Sequence, residues 1–350
     1  MPDLDLSLLA DLCGAPGVSA REDAVREIAR KAMADLVDEV SVDAMGNLVA
    51  VRHGTGGGGG PRVMVAAHMD EVGFLVKHVE EDGFLRVHPV GGIFPKTCPG
   101  QRVRVNTADG PLLGVLTEAE FGMPGEEAKV SKVEEFFVDV GLSRDDAVAR
   151  VSKGDPVTWD RELERTGDRV VAKAIDDRVG LFVIIEALRR LGRGSVEVVA
   201  VGSVQEEIGT RGATVAAHRI PRDVAVAVDT TLAKDVPGVP PSMAVNRLGD
   251  GVSIKIMDRM QITHGRLLSF VRSLAAKREI PHQLEVGLPG GTDAGAMELS
   301  GDGSPAIGLS IPCRYPHTSS EMADVGDIAA SVDLLQAFLE EVTPSALSFD

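Results

Sequence analysis

Imidazole and carboxylate side chains recur in this sequence directly after short apolar runs, and together they have the chemistry of a metal centre. Each run has the composition of a β-strand, and the residues that follow are His68 and Asp70, Asp176 and Asp177, Glu206 and Glu207, Asp229, and His317. In an open α/β sheet, ligands bind beyond the carboxyl ends of the strands, so we expect these side chains at one edge of one sheet. Their nitrogen and oxygen atoms suit zinc, cobalt or manganese, and no thiolate is needed.

These candidates are too many for a single ion. A catalytic zinc takes three protein ligands and leaves one position for water. Five or six ligands, with a carboxylate that can bridge, instead indicate two ions that share an attacking hydroxide. One of the adjacent acids Glu206 and Glu207 can then bind metal while the other moves protons as a general base and acid. In the segment His68-Met69-Asp70, the acid can hold the imidazole ring and fix its tautomer.

Each of these residues also has an ordinary structural interpretation. Asp176 and Asp177 could simply cap the helix that follows them. The pair Glu206-Glu207 could be a solvated loop, and Asp229 could be a turn residue. The joint placement of these residues at successive strand ends favours the functional interpretation.

A glycine-rich segment, Gly290–Gly295, opens a short predicted helix. The free amides there, at Gly291, Thr292 and Asp293, could hold a substrate carbonyl or carboxylate. Alternatively, the segment is a tight turn with Asp293 as the helix cap. The sequence contains neither a G-x-x-x-x-G-K-S/T phosphate loop nor a G-x-S-x-G nucleophile elbow.

The elements that must position these residues fall into two kinds of sequence. Residues 1–70 and 169–350 alternate helices with strands, which predicts an α/β fold whose mixed, mostly parallel sheet has helices on both faces. Residues 71–168 contain short alternating runs separated by turn signals, and one short helix over 145–150 that Ser143 introduces. The predicted organisation is one discontinuous α/β domain interrupted by a small β-rich insert.

Local signals add detail near the N-terminus. Ser19 and Glu22 have the spacing of a capping box ahead of an apolar helix face. Two β-branched runs, at 40–42 and 48–51, flank a Gly-Asn turn and predict a hairpin. Six glycines within 54–60 predict a flexible surface loop.

Composition excludes several classes of protein. The 350 residues include 36 Lys+Arg and 53 Asp+Glu, a formal charge of −17 that disfavours binding to a nucleic-acid backbone. No run approaches the roughly 18 apolar residues of a membrane span, so no membrane partner is expected. The three cysteines are scattered, and the first residues, MPDLDLSLLADL, lack the basic and apolar regions of a signal peptide. We therefore expect a cytoplasmic location.

Six segments, in this order and spacing, resemble the tetrahedral aminopeptidases, a family of di-metal metallopeptidases. The segments are AAHMDEVGF, KAIDDRVG, VQEEIGTRGA, AVDTT, GGTDAGAM and RYPHTSSEM. The family includes glutamyl, leucyl and deblocking aminopeptidases, and some members have been labelled endoglucanase M. The resemblance extends over nearly the whole chain, including the insert.

The resemblance implies a role for each candidate ligand. Five side chains would hold two ions and two would support catalysis: Asp176 as the bridge, His68 and Asp229 at one ion, Glu207 and His317 at the other, Glu206 as the general base, and Asp70 as the support of His68. In relatives the peptide bond between Asp176 and Asp177 is cis. Pro316 before His317 departs from the family pattern, so the preferred N-terminal residue stays open.

The resemblance also implies the architecture and the activity. The α/β sandwich would be phosphorylase/hydrolase-like, and the insert at 71–168 would be a PDZ-like dimerisation domain of a hollow tetrahedral homododecamer built from dimers. The expected activity is removal of N-terminal residues from peptides, with two zinc ions, or cobalt or manganese, per subunit. The alternatives are a di-metal amidohydrolase or deblocking peptidase that acts on acylated or other amides, and a catalytically silent assembly protein.

Overall fold

The computed structural model describes residues 4–55, 59–119, 132–287 and 290–347. Part of the predicted glycine loop, at 56–58, lies outside the described residues, as do residues 120–131 of the insert. The described helices are α1 (Ser7–Gly14), α2 (Asp23–Met33), α3 (Arg144–Arg150), α4 (Ile175–Arg190), α5 (Arg211–Arg219), α6 (Gly265–Lys277), α7 (Asp293–Leu299), α8 (Val325–Glu341) and α9 (Pro344–Leu347).

The strands belong to two separate sheets. In chain order they are β1 (Glu39–Val42), β2 (Leu48–Arg52), β3 (Arg62–His68), β4 (Gly73–Val79), β5 (Leu85–Val90), β6 (Gln101–Thr107), β7 (Gly110–Thr117), β8 (Phe137–Asp139), β9 (Pro156–Trp159), β10 (Glu164–Thr166), β11 (Arg169–Ala172), β12 (Glu197–Ser203), β13 (Val224–Leu232), β14 (Val252–Met257), β15 (His282–Val286), β16 (Ala306–Arg314) and β17 (Glu321–Asp324).

The larger sheet is mixed, and its central strands are parallel. Among the described residues it has eleven strands in the order β1-β2-β12-β3-β13-β16-β17-β11-β10, with β14 pairing with both β16 and β15. Three pairs at the centre of the sheet are parallel: β12 with β3, β3 with β13, and β13 with β16. The predicted hairpin is confirmed as β1 and β2, which pair antiparallel.

Alternation along the buried strands places side chains on both faces of this sheet. In β3, Val63, Val65 and Ala67 pack into the core that α4 and α8 share. The intervening Met64 and Ala66 face a second core that contains α5 and α7. Because successive strand residues point to opposite faces, one continuous apolar run can fill both layers. The predicted α/β fold with helices on both faces is confirmed.

The insert forms its own small sheet and its own core. Strands β4-β5-β8-β7-β6-β9 close into an antiparallel barrel. The rings of Phe74 and Trp159 meet edge to face inside it, with centroids 5.6 Å apart. The predicted short helix is α3, where the Ser143 hydroxyl accepts a hydrogen bond from the Asp146 amide. The β-rich character of the insert is confirmed, and its role in dimerisation stays a prediction.

The predicted capping box at Ser19 and Glu22 is wrong. Helix α2 begins at Asp23, and the residue before it, Glu22, makes no side-chain cap. The Ser19 hydroxyl instead donates a 2.6 Å hydrogen bond to the buried Asp70 carboxylate. A buried carboxylate loses more from an unmet hydrogen bond than an exposed helix end does, so the distant acid takes the hydroxyl.

Over the part of the chain that the structure describes, no helix has the length and apolar character required to cross a lipid bilayer.

Candidate metal centre

Three parallel strands bring the candidate ligands to one edge of the larger sheet. His68 is the last residue of β3 and pairs in register with Ser203, the last residue of β12. Glu206 and Glu207 lie in the loop just after β12, and Asp229 lies within β13. Because these strands are parallel, their carboxyl ends coincide, as the sequence predicted.

The other two ligand candidates come from the start of a helix and from the loop after β16. Asp176 lies in the first turn of α4, where its backbone is not helical and its peptide bond to Asp177 is cis. His317 lies between β16 and β17 with a positive φ of 61°. The structure thus brings all five predicted metal ligands to one place.

Asp176 lies between the two histidines. Its Oδ1 atom is 3.1 Å from His68 Nε2, and its Oδ2 atom is 3.6 Å from His317 Nε2. The remaining acids pair with one histidine each: Asp229 Oδ1 is 3.9 Å from His68 Nε2, and Glu207 Oε1 is 3.4 Å from His317 Nε2. A carboxylate with one imidazole facing each oxygen is the arrangement required for a bridge between two ions.

Two groups of ligand atoms are close enough to surround an ion. Atoms of His68, Asp176 and Glu207 lie within 4.8 Å of one another, and so do atoms of His68, Asp177 and Asp229. Asp177, however, already accepts hydrogen bonds from the His68 amide at 3.2 Å and the Gly180 amide at 3.0 Å. Its carboxylate therefore fixes the backbone of a ligand.

Asp70 holds the loop after β12 and the imidazole of His68 in place. It is fully buried, and its two oxygens accept hydrogen bonds from the amides of Glu206 at 2.9 Å and Glu207 at 3.2 Å. His68 Nδ1 lies 3.1 Å from the Asp70 carbonyl oxygen and 3.4 Å from its carboxylate. When Nδ1 carries the proton and donates it to these acceptors, the Nε2 lone pair is available to a metal ion.

Glu321, in β17, is a supporting residue that the sequence did not reveal. It is buried, and its two oxygens accept 2.8 Å hydrogen bonds from the amides of Asp176 and His317. One carboxylate thus fixes the backbones of two ligand candidates from different elements. The available signal was its position in the motif RYPHTSSEM, four residues after His317.

The insert also contributes to the site, through two glycines after β5. The Gly92 carbonyl oxygen lies 2.8 Å from His317 Nδ1. A Cβ atom on Gly92 would be 3.0 Å from that nitrogen, and one on Gly91, whose φ is +79°, would be 3.3 Å from Glu207 Cβ. Only residues without a side chain allow the backbone to pass this closely over both ligands of one predicted ion site.

The centre holds more buried negative charge than the protein balances. Four carboxylates and one lysine line its cavity of about 430 Å³, and Lys255 Nζ is already 2.9 Å from Glu285 Oε1. Burial and neighbouring acids raise the pKa of Glu206 and Glu207 well above the ordinary range, and that of Asp229 to about 7. Burial alone would lower the pKa of His68, but hydrogen bonds to Asp176 and Asp70 raise it. Imidazoles and surplus carboxylates of this kind fit divalent cations.

The predicted substrate-binding segment borders the same cavity. Gly291 and Thr292 line it. The Thr292 hydroxyl accepts a hydrogen bond from the Ala294 amide, so Thr292 caps α7 and the alternative with Asp293 as the cap is wrong. Asp293 lies behind them, where Oδ2 accepts the Ser203 hydroxyl and Oδ1 has no hydrogen-bond partner among the described residues.

Comparison with known proteins places this geometry among peptidases. The family model of the M42 glutamyl aminopeptidases matches residues 46–334. The chain is 38% identical over 329 residues to a putative aminopeptidase of Acetivibrio thermocellus, which covers 94% of this chain and 96% of that one. It is 36% identical over 353 residues to a lysyl aminopeptidase of Pyrococcus furiosus, with 97% and 98% covered.

Solved structures show the same similarity. An aminopeptidase from the archaeon Desulfurococcus kamchatkensis superimposes with a TM-score of 0.94 at 40% identity, over 98% of this chain and 96% of that one. The Pyrococcus horikoshii TET1 peptidase, which can assemble into a tetrahedron or a large octahedral shell, gives a TM-score of 0.85 at 30% identity, over 96% and 99%.

Proposed function

The chain belongs to the M42 glutamyl aminopeptidase family and is an aminopeptidase, and from this premise we propose that it removes N-terminal residues from peptides with the help of two divalent ions. The observation that carries the proposal is the position of Asp176, with His68 on one oxygen and His317 on the other. The surrounding surplus of buried carboxylates supports it, because such a surplus requires a countercharge.

The proposed ligand sets follow the pairings in the structure. His68 and Asp229 would hold one ion, Glu207 and His317 the other, and Asp176 would contact both. We propose zinc first, with cobalt or manganese accepted by the same donors. Ions bound there supply Lewis-acid chemistry, which polarises the scissile carbonyl and lowers the pKa of water.

Glu206 is proposed as the general base. Its amide is fixed by Asp70, its side chain lines the cavity, and it pairs with neither histidine, unlike its neighbour Glu207. The carboxylate would take a proton from the attacking water and return it to the leaving amine. Burial raises the pKa of this carboxyl in the metal-free protein, which is the direction expected of a group that accepts a proton.

The cavity beside the proposed ions would hold the substrate end. Gly291 and Thr292 line this cavity and are proposed to contact the peptide backbone. We further propose a cytoplasmic homo-oligomer, a tetrahedral dodecamer of dimers paired through the insert, since the Pyrococcus horikoshii relative assembles into a tetrahedron.

A panel of aminoacyl-p-nitroanilides tests the proposal. Each substrate is assayed with purified protein, after chelation, and after zinc, cobalt or manganese is restored. We expect hydrolysis of some free-amine substrates that chelation abolishes and metal restores. Full activity after exhaustive chelation would contradict the metal dependence, and cleavage of acetylated peptides alone would favour the deblocking alternative.

A further inference from the structure

A second and larger cavity opens directly beside the candidate metal centre. Its volume is about 910 Å³, and it lies between the insert and the edge of the larger sheet. The two cavities share three walls, Phe94, Leu232 and Pro316. The Phe94 ring lies 6.0 Å from that of His317, centroid to centroid. A chain that enters the first cavity can therefore continue past Phe94 into the second.

Exposed apolar side chains surround this second cavity. Phe94, Met243 and Tyr315 all line it, and their exposed fractions are 53%, 55% and 49%. Large apolar groups that gather on one concave surface indicate a binding site. The walls come from both the insert and the catalytic sheet, so the cavity exists only where these two parts meet.

The second cavity carries positive charge. Its charged lining residues are Lys96 and Lys234, with no carboxylate among the described residues that line it. Neither lysine forms an ion pair or a hydrogen bond with any described residue, and Lys234 is half-buried. The chain as a whole has a formal net charge of −17, so this positive charge is opposite in sign to the charge of the protein overall.

The two cavities together form one cleft, with the candidate metal centre at one end and positive charge at the other. A short peptide whose N-terminus lies at the metal centre would place its C-terminal carboxylate toward the positive end. We propose that the second cavity binds the part of the peptide beyond the scissile bond and that Lys96 and Lys234 bind the C-terminal carboxylate of short peptides. The inference rests on the proposed function, and it adds a preference for short peptides with a free carboxyl end.

The test compares peptides that differ only at the C-terminus. Di- to hexapeptides that share one accepted N-terminal residue are assayed as free acids and as C-terminal amides. We expect kcat/KM to favour the acid by about tenfold at the length that spans the cleft, as a charge-assisted contact would give, and to be equal for longer chains. Added salt reduces the preference by screening the charges.

Variants assign the preference to the two lysines. In the double variant K96Q/K234Q, the ratio of acid to amide falls to nearly one at every length. The ratio is measured within each protein, so a loss of folded enzyme does not change it. The matched control is K77Q/K153Q, which removes two exposed lysines of the insert and changes the net charge equally. It retains the preference.

Three outcomes would overturn the inference. Equal kcat/KM for acids and amides in the wild type, or an unchanged ratio in K96Q/K234Q, excludes carboxylate binding by these lysines. A lower oligomer mass for Met243→Glu in light scattering, with the ratio unaffected, would show that a second copy of the chain covers the cavity. Failure of metal-loaded wild type to cleave any p-nitroanilide would instead overturn the proposed function itself.

Discussion

Two clusters of charged side chains are neighbours in the sequence of this protein. Cations outnumber carboxylates in one cluster, and carboxylates outnumber cations in the other. The first, which we call the ion-paired cluster, consists of Glu71, Lys173 and Arg178. Lys173 Nζ lies 2.8 and 2.9 Å from the two Glu71 oxygens, and Arg178 Nη2 lies 3.4 Å from one of them. All three residues are buried, and one carboxylate has two cations.

The second cluster is the candidate metal centre, where carboxylates exceed cations. Its residues are sequence neighbours of the first: Asp70 precedes Glu71, and Asp176 lies between Lys173 and Arg178. The ion-paired cluster is more deeply buried than Glu206, Glu207 and His317, which are half-buried. The ion-paired cluster contains its own countercharge and stabilises the fold, whereas the candidate metal centre has too few cations to balance its carboxylates.

The largest expected effect is on catalysis at the second cluster. Glu206→Gln keeps the size and the amide contact of the residue but removes its basicity. We expect kcat to fall by about 10²- to 10⁴-fold, with metal content and melting temperature unchanged. Elemental analysis and thermal unfolding accompany the kinetics. The exposed Glu81→Gln on the insert is the control, and substantial turnover in Glu206→Gln would remove the residue from its proposed role.

Added metal should raise the free energy of unfolding through the candidate metal centre and not through the ion-paired cluster. Zinc added to chelated wild type at about 1,000 times its Kd should raise the free energy of unfolding by about 4 kcal/mol. Asp176→Asn should lose most of this gain and bind fewer ions per chain, because both predicted ion sites share that carboxylate. Equal zinc-dependent gains in the wild type and in Asp176→Asn would contradict the bridging position.

The ion-paired cluster should respond in the opposite way. Glu71→Gln leaves Lys173 and Arg178 buried without their carboxylate, and we expect the free energy of unfolding to fall by about 3 kcal/mol. Denaturant titration measures the loss. The gain on adding zinc should remain as large as in the wild type. A large drop in metal content without a loss of stability would show that the two clusters are not separate in function.

The smallest expected effect is a pH dependence at Asp293 in the metal-free protein. Burial raises the pKa of this carboxyl to about 6. Its stabilising contribution is therefore complete below the unfolded pKa of about 4 and is lost as the pH rises through about 6. Between pH 5 and pH 8 the wild type should lose about 1 kcal/mol that Asp293→Asn keeps.

Urea unfolding at the two pH values measures this difference. The exposed Asp302→Asn should behave as the wild type does. If the stability of the wild type and of Asp293→Asn changed equally between these pH values, the pKa of the Asp293 carboxyl would not be raised by folding.

The sequence predicted the ligand candidates because their signal is local. A polar residue after an apolar run marks the end of a strand, and the parallel sheet then brings such ends together without further information. His68, Glu207 and Asp229 were accessible in this way. The same logic located the insert, whose short alternating runs differ from the buried strands on either side of it.

Asp70 was predicted as the support of His68, two residues away, but the contacts of the other supporting residues were not predicted. Ser19 looked like a helix cap, and only the folded structure shows that its hydroxyl contacts Asp70, 51 residues away. The Glu321 carboxylate contacts backbone amides, and Gly92 contacts His317 through its own backbone carbonyl. Contacts that involve backbone groups leave no pattern in the residue types. The second cavity likewise arises where two parts of the chain meet, so no single segment encodes it.

The contact between the Gly92 carbonyl and His317 has a consequence for protein engineering. Exchanging inserts among relatives would test whether the insert sets the assembly. In this chain the exchange would also replace the acceptor that orients one imidazole, and a donor segment without the Gly91-Gly92 pair would bring Cβ atoms to 3.3 Å from Glu207 Cβ and 3.0 Å from His317 Nδ1. A chimera must therefore keep a Gly-Gly pair at positions 91 and 92 within the insert that it receives, because β4 and β5 before this pair belong to the same closed barrel as the strands after it.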